Sequence, residues 1–195
     1  MFIGLVRHGE TNWNAGGILQ GQTDIPLNET GMRQAEALAG RLSSEENLWD
    51  AVMSSDLLRA RVTAEVIAKK LDLPLLDPDI RLRERSFGKL EGTTEAQRVA
   101  KWGADWRTLQ LGAESDDDMR ARGMSVISEL AERDADRNIL IVSHGSFIAQ
   151  LLQAMCSVIP DQRLGNLSYS ILSLNDGQWV PVLHNCTKHL DTVQR

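Results

Sequence analysis

Two separate stretches run from a short aliphatic, β-branched segment straight into a His-Gly pair: Ile3-Gly4-Leu5-Val6-Arg7-His8-Gly9 and Ile139-Leu140-Ile141-Val142-Ser143-His144-Gly145. Apolar runs of this kind read as strands buried on both faces, as in parallel sheets covered by helices on each side. In open sheets of that type, ligands collect beyond the carboxyl ends of the strands. The chain has only four histidines. Two of them at equivalent strand exits, the first with Arg7 beside it and Glu10-Thr11 after it, point to one shared site.

Strands and helices alternate along the rest of the chain. A loop ends in Asp24-Ile25-Pro26-Leu27-Asn28, a turn signal, and Asn28 is a candidate N-cap. The helix it opens carries Met32, Ala35, Leu38, Ala39 and Leu42 at helical spacing, to about residue 43. Ala51-Val52-Met53 reads as a second strand, Ser54-Ser55-Asp56 as the cap of a helix over about 57–70, and residues 73–76 as a further strand. Met119, Val126, Ile127 and Leu130 mark a helix over 119–132, and Asp116-Asp117-Asp118 suits its first turn, where negative charge meets the positive end of the helix dipole. The strand into His144 leads to a helix ending near Met155. Closing strands over 168–174 and 179–184 flank Asn175-Asp176-Gly177, a hairpin signal. The pattern implies an α/β fold, a three-layer α/β/α sandwich with a mostly parallel sheet and an antiparallel edge, in one domain over residues 1–195. Residues 93–115, with Trp102 and Trp106 among polar neighbours and weak periodicity, read as a short insertion over one end of the sheet.

The formal net charge of −6 comes with no long basic stripe, which argues against a general nucleic-acid partner. An anionic ligand must then be held by a local cluster of cations. Cys156 and Cys186, the only cysteines, are too few for a disulfide framework and lack zinc-site spacing, so they read as reduced thiols. No basic leader with an apolar core opens the sequence and no apolar run reaches membrane-span length, so the expectation is a cytoplasmic protein without a membrane partner.

Arg7 and His8 are adjacent, so within a strand they would point to opposite faces; where the chain turns over at Gly9, both can bend toward one crevice. A guanidinium beside an imidazole repels a metal ion and welcomes an oxyanion, so the expected ligand is a phosphate, sulfate or carboxylate. A phosphate dianion asks for a second arginine. Arg59 is the candidate, because Val62 and Val66 follow it at i+3 and i+7 and turn it toward the sheet, whereas Arg61 has Glu65 at i+4 and reads as solvated.

These residues resemble the histidine phosphatase superfamily, which includes the cofactor-dependent phosphoglycerate mutases. The resemblance rests on Arg7-His8-Gly9-Glu10-Thr11 with Asn14, Leu19-Gln20-Gly21, Asp24-Ile25-Pro26-Leu27 and Gly31 with Gln34-Ala35. It continues through Ser54-Ser55-Asp56-Leu57-Leu58-Arg59-Ala60 with Thr63-Ala64, Leu82-Arg83-Glu84, Phe87-Gly88, Glu91-Gly92 and Val142-Ser143-His144-Gly145, in family order over most of the chain. It implies a phosphoglycerate mutase-like fold and a chemistry in which His8 is the nucleophile that carries a phosphoryl group. Arg7, Arg59 and His144 match the phosphate pocket, and Asn14 lies near it with an amide able to donate. Glu84 matches the proton donor to the leaving oxygen. Gln20 and Gly21 match residues at the pocket entrance, where a plain loop turn is the other reading. No metal and no cofactor are implied.

The resemblance favours a metal-independent phosphatase of the broad-specificity branch, acting on a small phosphorylated metabolite. A cofactor-dependent phosphoglycerate mutase is the alternative, and a protein that binds phosphorylated ligands without turnover is a reading from another class. The insertion offers only Arg98, Lys101 and Arg107, whereas the mutase branch generally has a longer chain and more basic residues around the substrate carboxylate. Glu91 is the rival carboxylate to Glu84, although its place between Leu90 and Gly92 suits a turn or cap. His184 and His189 read as structural or solvated. The physiological substrate and the oligomeric state are not specified by these motifs.

Overall fold

The computed structural model describes residues 1–46, 48–160 and 162–191; residues 47, 161 and 192–195 of the expected 1–195 domain lie outside that description. Five strands form one mixed sheet: β1 (Phe2–Arg7), β2 (Ala51–Ser54), β3 (Ile139–Ser143), β4 (Tyr169–Asn175) and β5 (Gln178–Cys186). Their spatial order is β2-β3-β1-β4-β5. The first three are mutually parallel, whereas β4 runs antiparallel to β1 and β5 antiparallel to β4. The hairpin between them turns on Asp176 and Gly177, both at positive φ (49° and 78°), the conformation a two-residue I′ turn demands.

Period-two alternation on strands buried from both sides divides the core. Ile3 and Leu5 of β1 pack with Ile139, Ile141 and Met53 on one face; Val6 packs with Leu140, Val142 and Val52 on the other. Among the described residues, six helices cover the two faces and the strand ends: α1 (Asn12–Ala15), α2 (Glu29–Ser44), α3 (Leu58–Leu71), α4 (Glu95–Trp102), α5 (Asp116–Arg133) and α6 (Gly145–Met155). Leu38, Ala39 and Leu42 of α2 and Ala60, Ala64 and Ile67 of α3 close one face. Val126, Ile127 and Leu130 of α5 and Phe147, Ile148 and Leu151 of α6 close the other. Asn28 caps α2 by accepting the Gly31 N–H at 2.8 Å, and Ser115 caps α5, whose first turn holds the three aspartates. Among the described residues, no helix is long and apolar enough to cross a membrane.

Three local expectations are corrected. Residues 73–76 make only a single parallel bridge, Leu75 to Val52, because Pro74 has no N–H with which to continue the ladder. The α3 N-cap is Leu57, without a side-chain cap bond of its own. Asp24, from the preceding loop, instead accepts the Leu58 N–H at 2.8 Å, while Asp56 pairs with Arg83. Segment 93–115 is more regular than its sequence suggests: Thr94 and Gln97 form a reciprocal capping box that starts α4.

Parallel pairing of β1 with β3 sets Arg7 level with Ser143, so His8 and His144, one residue further on, leave the sheet side by side. This register depends on the central strand filling its layer. Truncating Ile141, fully buried on β3, to alanine is expected to cost about 2–5 kcal/mol in unfolding free energy, measured by urea denaturation.

Candidate active site

Beyond the carboxyl ends of β1 and β3 lies a cavity of about 580 Å³, lined by Arg7, His8, Asn14, Gln20, Gly21, Arg59 and Glu84 among others. His144 lies behind this wall, fully buried, its ring centroid 5.1 Å from that of His8. All eight residues expected at the site from the sequence are thus gathered at one end of the sheet.

The turn after β1 is tight. A Cβ on Gly9 would lie 2.6 Å from the Gly31 carbonyl, so Gly9 must lack one for the loop to rest on the start of α2. Thr63 of α3 accepts the Gly9 N–H at 3.2 Å and donates to the Arg59 carbonyl at 2.8 Å, tying this turn to α3. The His8 carbonyl accepts from the Asn166 amide at 3.0 Å. His8 donates from Nδ1 to the Gly9 carbonyl at 2.7 Å, and since a carbonyl can only accept, the proton resides on Nδ1 and Nε2 carries the lone pair. That Nε2 lies 3.3 Å from Nε of Arg59.

Arg59 is wholly buried at the start of α3. The buried stripe of this helix is Ala60, Thr63, Ala64, Ile67 and Ala68, with Val62 and Val66 only half-buried, so the inward placement of Arg59 follows from a stripe one residue over from the one expected. Arg61 stays exposed beside Glu65. The Arg59 guanidinium donates to the Gly21 carbonyl at 2.7 Å and the Thr23 carbonyl at 2.9 Å. Glu91 fixes this receiving loop: its carboxylate accepts the N–H groups of Gln22 and Thr23 and the Thr23 hydroxyl, and it also receives Phe87. Gly21 has φ 56°, and a Cβ there would lie 2.1 Å from the Glu91 carboxylate. Glu91 is therefore a loop anchor, in keeping with the turn or cap role expected of it.

Arg7 donates to the Leu164 carbonyl at 2.6 Å, and its Nε is buried without a partner among the described residues. The Glu84 carboxylate sits over the N-terminus of α6, accepting from Ser146 and Phe147 at 3.1 and 2.9 Å and from Arg85 at 2.8 Å. Arg122 of α5 holds the backbone on which Glu84 rides, donating to the carbonyls of Arg81, Arg83 and Glu84 while paired with Glu114. Asn14 Oδ1 faces Thr11 and Asn166, leaving its amide donor uncommitted among the described residues, and Gln20 Oε1 meets the Thr11 hydroxyl. Arg85, Arg98 and Arg163 also line the cavity; Arg98 comes from α4, stacks on Trp106 and bonds Glu95, so the insertion does reach this end of the sheet. His184 lies against Gln162, and His189 is buried with Arg41 nearby. Sequence reading gives no role to Thr63, although it lies in a matching motif, and none to Arg122 and Asn166, which lie outside the matching motifs.

The electrostatics favour neutral imidazoles. Burial holds His8 well below the usual histidine range, and the guanidiniums of Arg59 and Arg7 add to this. His144 is lowered in the same way, by burial first and then by Arg59. Burial also pushes Arg59 down to about 10, where it remains cationic at neutral pH. Burial lowers His189 to about 4. In the unfolded chain these three histidines titrate near 6.5, so below that pH the unfolded state takes up protons that the fold refuses. Stability is expected to fall from pH 7.5 to pH 5.5, by on the order of 1 kcal/mol for each such histidine. Urea unfolding at the two pH values checks this; equal stabilities would mean that the buried imidazoles take up protons in the fold as readily as in the unfolded chain.

The model of the histidine phosphatase superfamily (branch 1) matches residues 3–187. The metal-independent phosphoserine phosphatase of Arabidopsis thaliana is 34% identical, covering 98% of this chain and 84% of that protein. A mycobacterial glucosyl-3-phosphoglycerate phosphatase solved with VO3 superposes with a TM-score of 0.82 at 31% identity, over 95% of this chain and 99% of that one. A histidine-to-alanine mutant of the Entamoeba histolytica phosphoserine phosphatase, solved with phosphoserine, gives a TM-score of 0.79 at 27% identity, over 97% and 98% of the two chains. With the sheet order, the paired histidines at the strand ends and these matches in agreement, the chain belongs to the histidine phosphatase superfamily.

Proposed function

We propose that this protein hydrolyses small phosphomonoesters without a metal ion, through a phosphoryl group carried transiently on Nε2 of His8. The observation that carries the reading is the hydrogen bond from His8 Nδ1 to the Gly9 carbonyl, which leaves Nε2 bare beneath a cavity flanked by Arg7 and Arg59. An arriving phosphate takes over the Arg59 N–H that now faces Nε2, and the lone pair is then free to attack phosphorus in line. As the N–P bond forms, the ester P–O bond breaks and Glu84 delivers a proton to the departing oxygen. Water then attacks the phosphorylated His8, Glu84 takes a proton from it, and the N–P bond breaks to release inorganic phosphate.

The guanidiniums of Arg7 and Arg59 supply the charge that a magnesium ion supplies in many phosphoryl-transfer enzymes. Both are preorganised, since Arg59 is locked on the Gly21 and Thr23 carbonyls and Arg7 on the Leu164 carbonyl. Asn14 offers its amide to a phosphate oxygen. The cavity volume suits a phosphate together with a leaving group of metabolite size. The relatives solved with phosphoserine or VO3 support the same ligand class. A cytoplasmic setting is proposed with the function, on the small phosphorylated substrate and the two expected thiols.

The test is phosphate release from a panel of phosphomonoesters with chelator present, for the wild type and His8→Ala. The panel includes 3-phosphoglycerate with and without bisphosphoglycerate. Activity is expected to survive chelator and to fall at least on the order of a thousandfold in His8→Ala. Activity indifferent to His8 would sink the mechanism, and silence on every ester would move the weight to phosphoryl exchange or to binding. Glu84→Gln separates the acid role from general damage. In kcat/KM, which reports only the steps up to loss of the leaving group, alkyl esters should lose about 10²- to 10⁴-fold, whereas para-nitrophenyl phosphate, whose leaving group departs without a proton, should lose much less; equal losses in kcat/KM on both would remove Glu84 from the acid role.

A further inference from the structure

In each site histidine one ring nitrogen is committed to a fixed partner; the other accepts from Arg59 at 3.3 Å in His8 and has no partner among the described residues in His144. In His8 the committed atom is Nδ1, against the Gly9 carbonyl; in His144 it is Nε2, 2.9 Å from the Ser55 hydroxyl. A carbonyl dictates where the imidazole proton sits, but a hydroxyl can give or take, so the His144 tautomer depends on what else that hydroxyl does. Ser55 Oγ already accepts the Leu57 N–H at 3.3 Å, in the turn that leads from β2 into α3. Ser55 and His144 are both fully buried, and His144 Nδ1 has no partner among the described residues.

Counting buried groups decides between the tautomers. With the proton on Nε2, the Ser55 oxygen would receive two donors while its own O–H had no recorded acceptor, and a bare Nδ1 would be stranded as well. With the proton on Nδ1, the Ser55 O–H is used by Nε2 and a single N–H is left over. The second arrangement strands one polar group instead of two. That remaining group is a donor, which is what an oxyanion needs.

We propose that Ser55 is a positioning residue whose hydroxyl donates to Nε2 of His144 and so holds the proton on Nδ1, making that N–H the donor His144 offers to a bound phosphoryl group. The two adjacent histidines thereby become chemically distinct: His8 keeps a bare nitrogen for attack, and His144, with Nε2 occupied, is left as an N–H donor. The tautomer stands on the hydrogen bonds alone; its use toward a phosphoryl group rests on the phosphatase reading.

Long-range proton–nitrogen correlation spectra of ¹⁵N-histidine-labelled full-length protein at pH 7.5 read the tautomer directly. Assignment uses His184→Gln, His189→Gln and His8→Ala. The expected wild-type pattern for His144 is a protonated Nδ1 and a bare Nε2, with the Nδ1 resonance moving when inorganic phosphate is added. In Ser55→Ala the proton should redistribute toward Nε2, and kcat/KM on para-nitrophenyl phosphate should drop about tenfold. A wild-type spectrum with the proton on Nε2 overturns the proposal even if Ser55→Ala fails to fold, and an unchanged tautomer in a folded Ser55→Ala overturns the part assigned to Ser55. If the tautomer is as stated but phosphate leaves Nδ1 unmoved and no ester is hydrolysed, the phosphatase reading has failed rather than the tautomer.

Discussion

A buried guanidinium is costly unless its nitrogens find acceptors, and Arg59 gives each of its three nitrogens one by drawing His8 and the loop at residues 21–23 onto α3. Its N–H groups reach the carbonyls of Gly21 and Thr23 and the bare nitrogen of His8. The loop carrying those carbonyls can present them only because Glu91, from far along the chain, receives the N–H groups of Gln22 and Thr23. Gly21 in turn must lack a side chain, since the Glu91 carboxylate occupies the space a Cβ would need. Removing any of these partners would leave a buried guanidinium nitrogen without its acceptor, so the placing of Arg59 and the integrity of the loop are one constraint.

The sheet supplies the second half of the arrangement. Parallel pairing of β1 with β3 brings two strand ends level, and α6 begins immediately after the second of them. The first N–H groups of α6 point out of the helix and have no partner within it. Glu84 meets two of them through Ser146 and Phe147, placing a carboxylate across from two arginines in one cavity. Arg7 and Arg59 next to the imidazole, further arginines along the wall, one carboxylate and a neutral imidazole make a site that tolerates a dianion and still has a group able to carry a proton. Burial keeps the imidazole neutral; the arginines reinforce it.

Much of this was legible in the residues. The apolar runs into His8 and His144, the Asn28 cap, the acidic first turn after Ser115 and the Asp176-Gly177 turn all have local causes, so they are readable from local sequence. The valine spacing turns Arg59 inward, as the structure does, although the buried stripe of α3 is the neighbouring one. What was misread depends on distant partners. Residues 73–76 look strand-like alone but meet only Val52 once Pro74 is in place. Ser55 reads as a helix cap in isolation; its hydroxyl does accept the Leu57 N–H in the turn into α3, but it also meets His144, a partner far along the chain. Arg122 and Asn166 carry no motif-level signal because the carbonyls they meet lie tens of residues away or more, and the turn role legible for Glu91 does not reveal which loop it holds; only the folded chain brings these groups together.

The sequence by itself determined the chemical inventory: two histidines at strand ends, arginines in number enough to hold an anion, a carboxylate between them in chain order, and a strand-helix alternation that buries a parallel sheet. Tertiary structure alone decided how that inventory is set. Which histidine nitrogen is bare, which N–H is left without a partner and how far each imidazole is shifted all follow from hydrogen bonds and burial. Those depend on groups brought together across the whole chain, because proton position responds to partners within about 3 Å, and adjacency in sequence does not specify that distance.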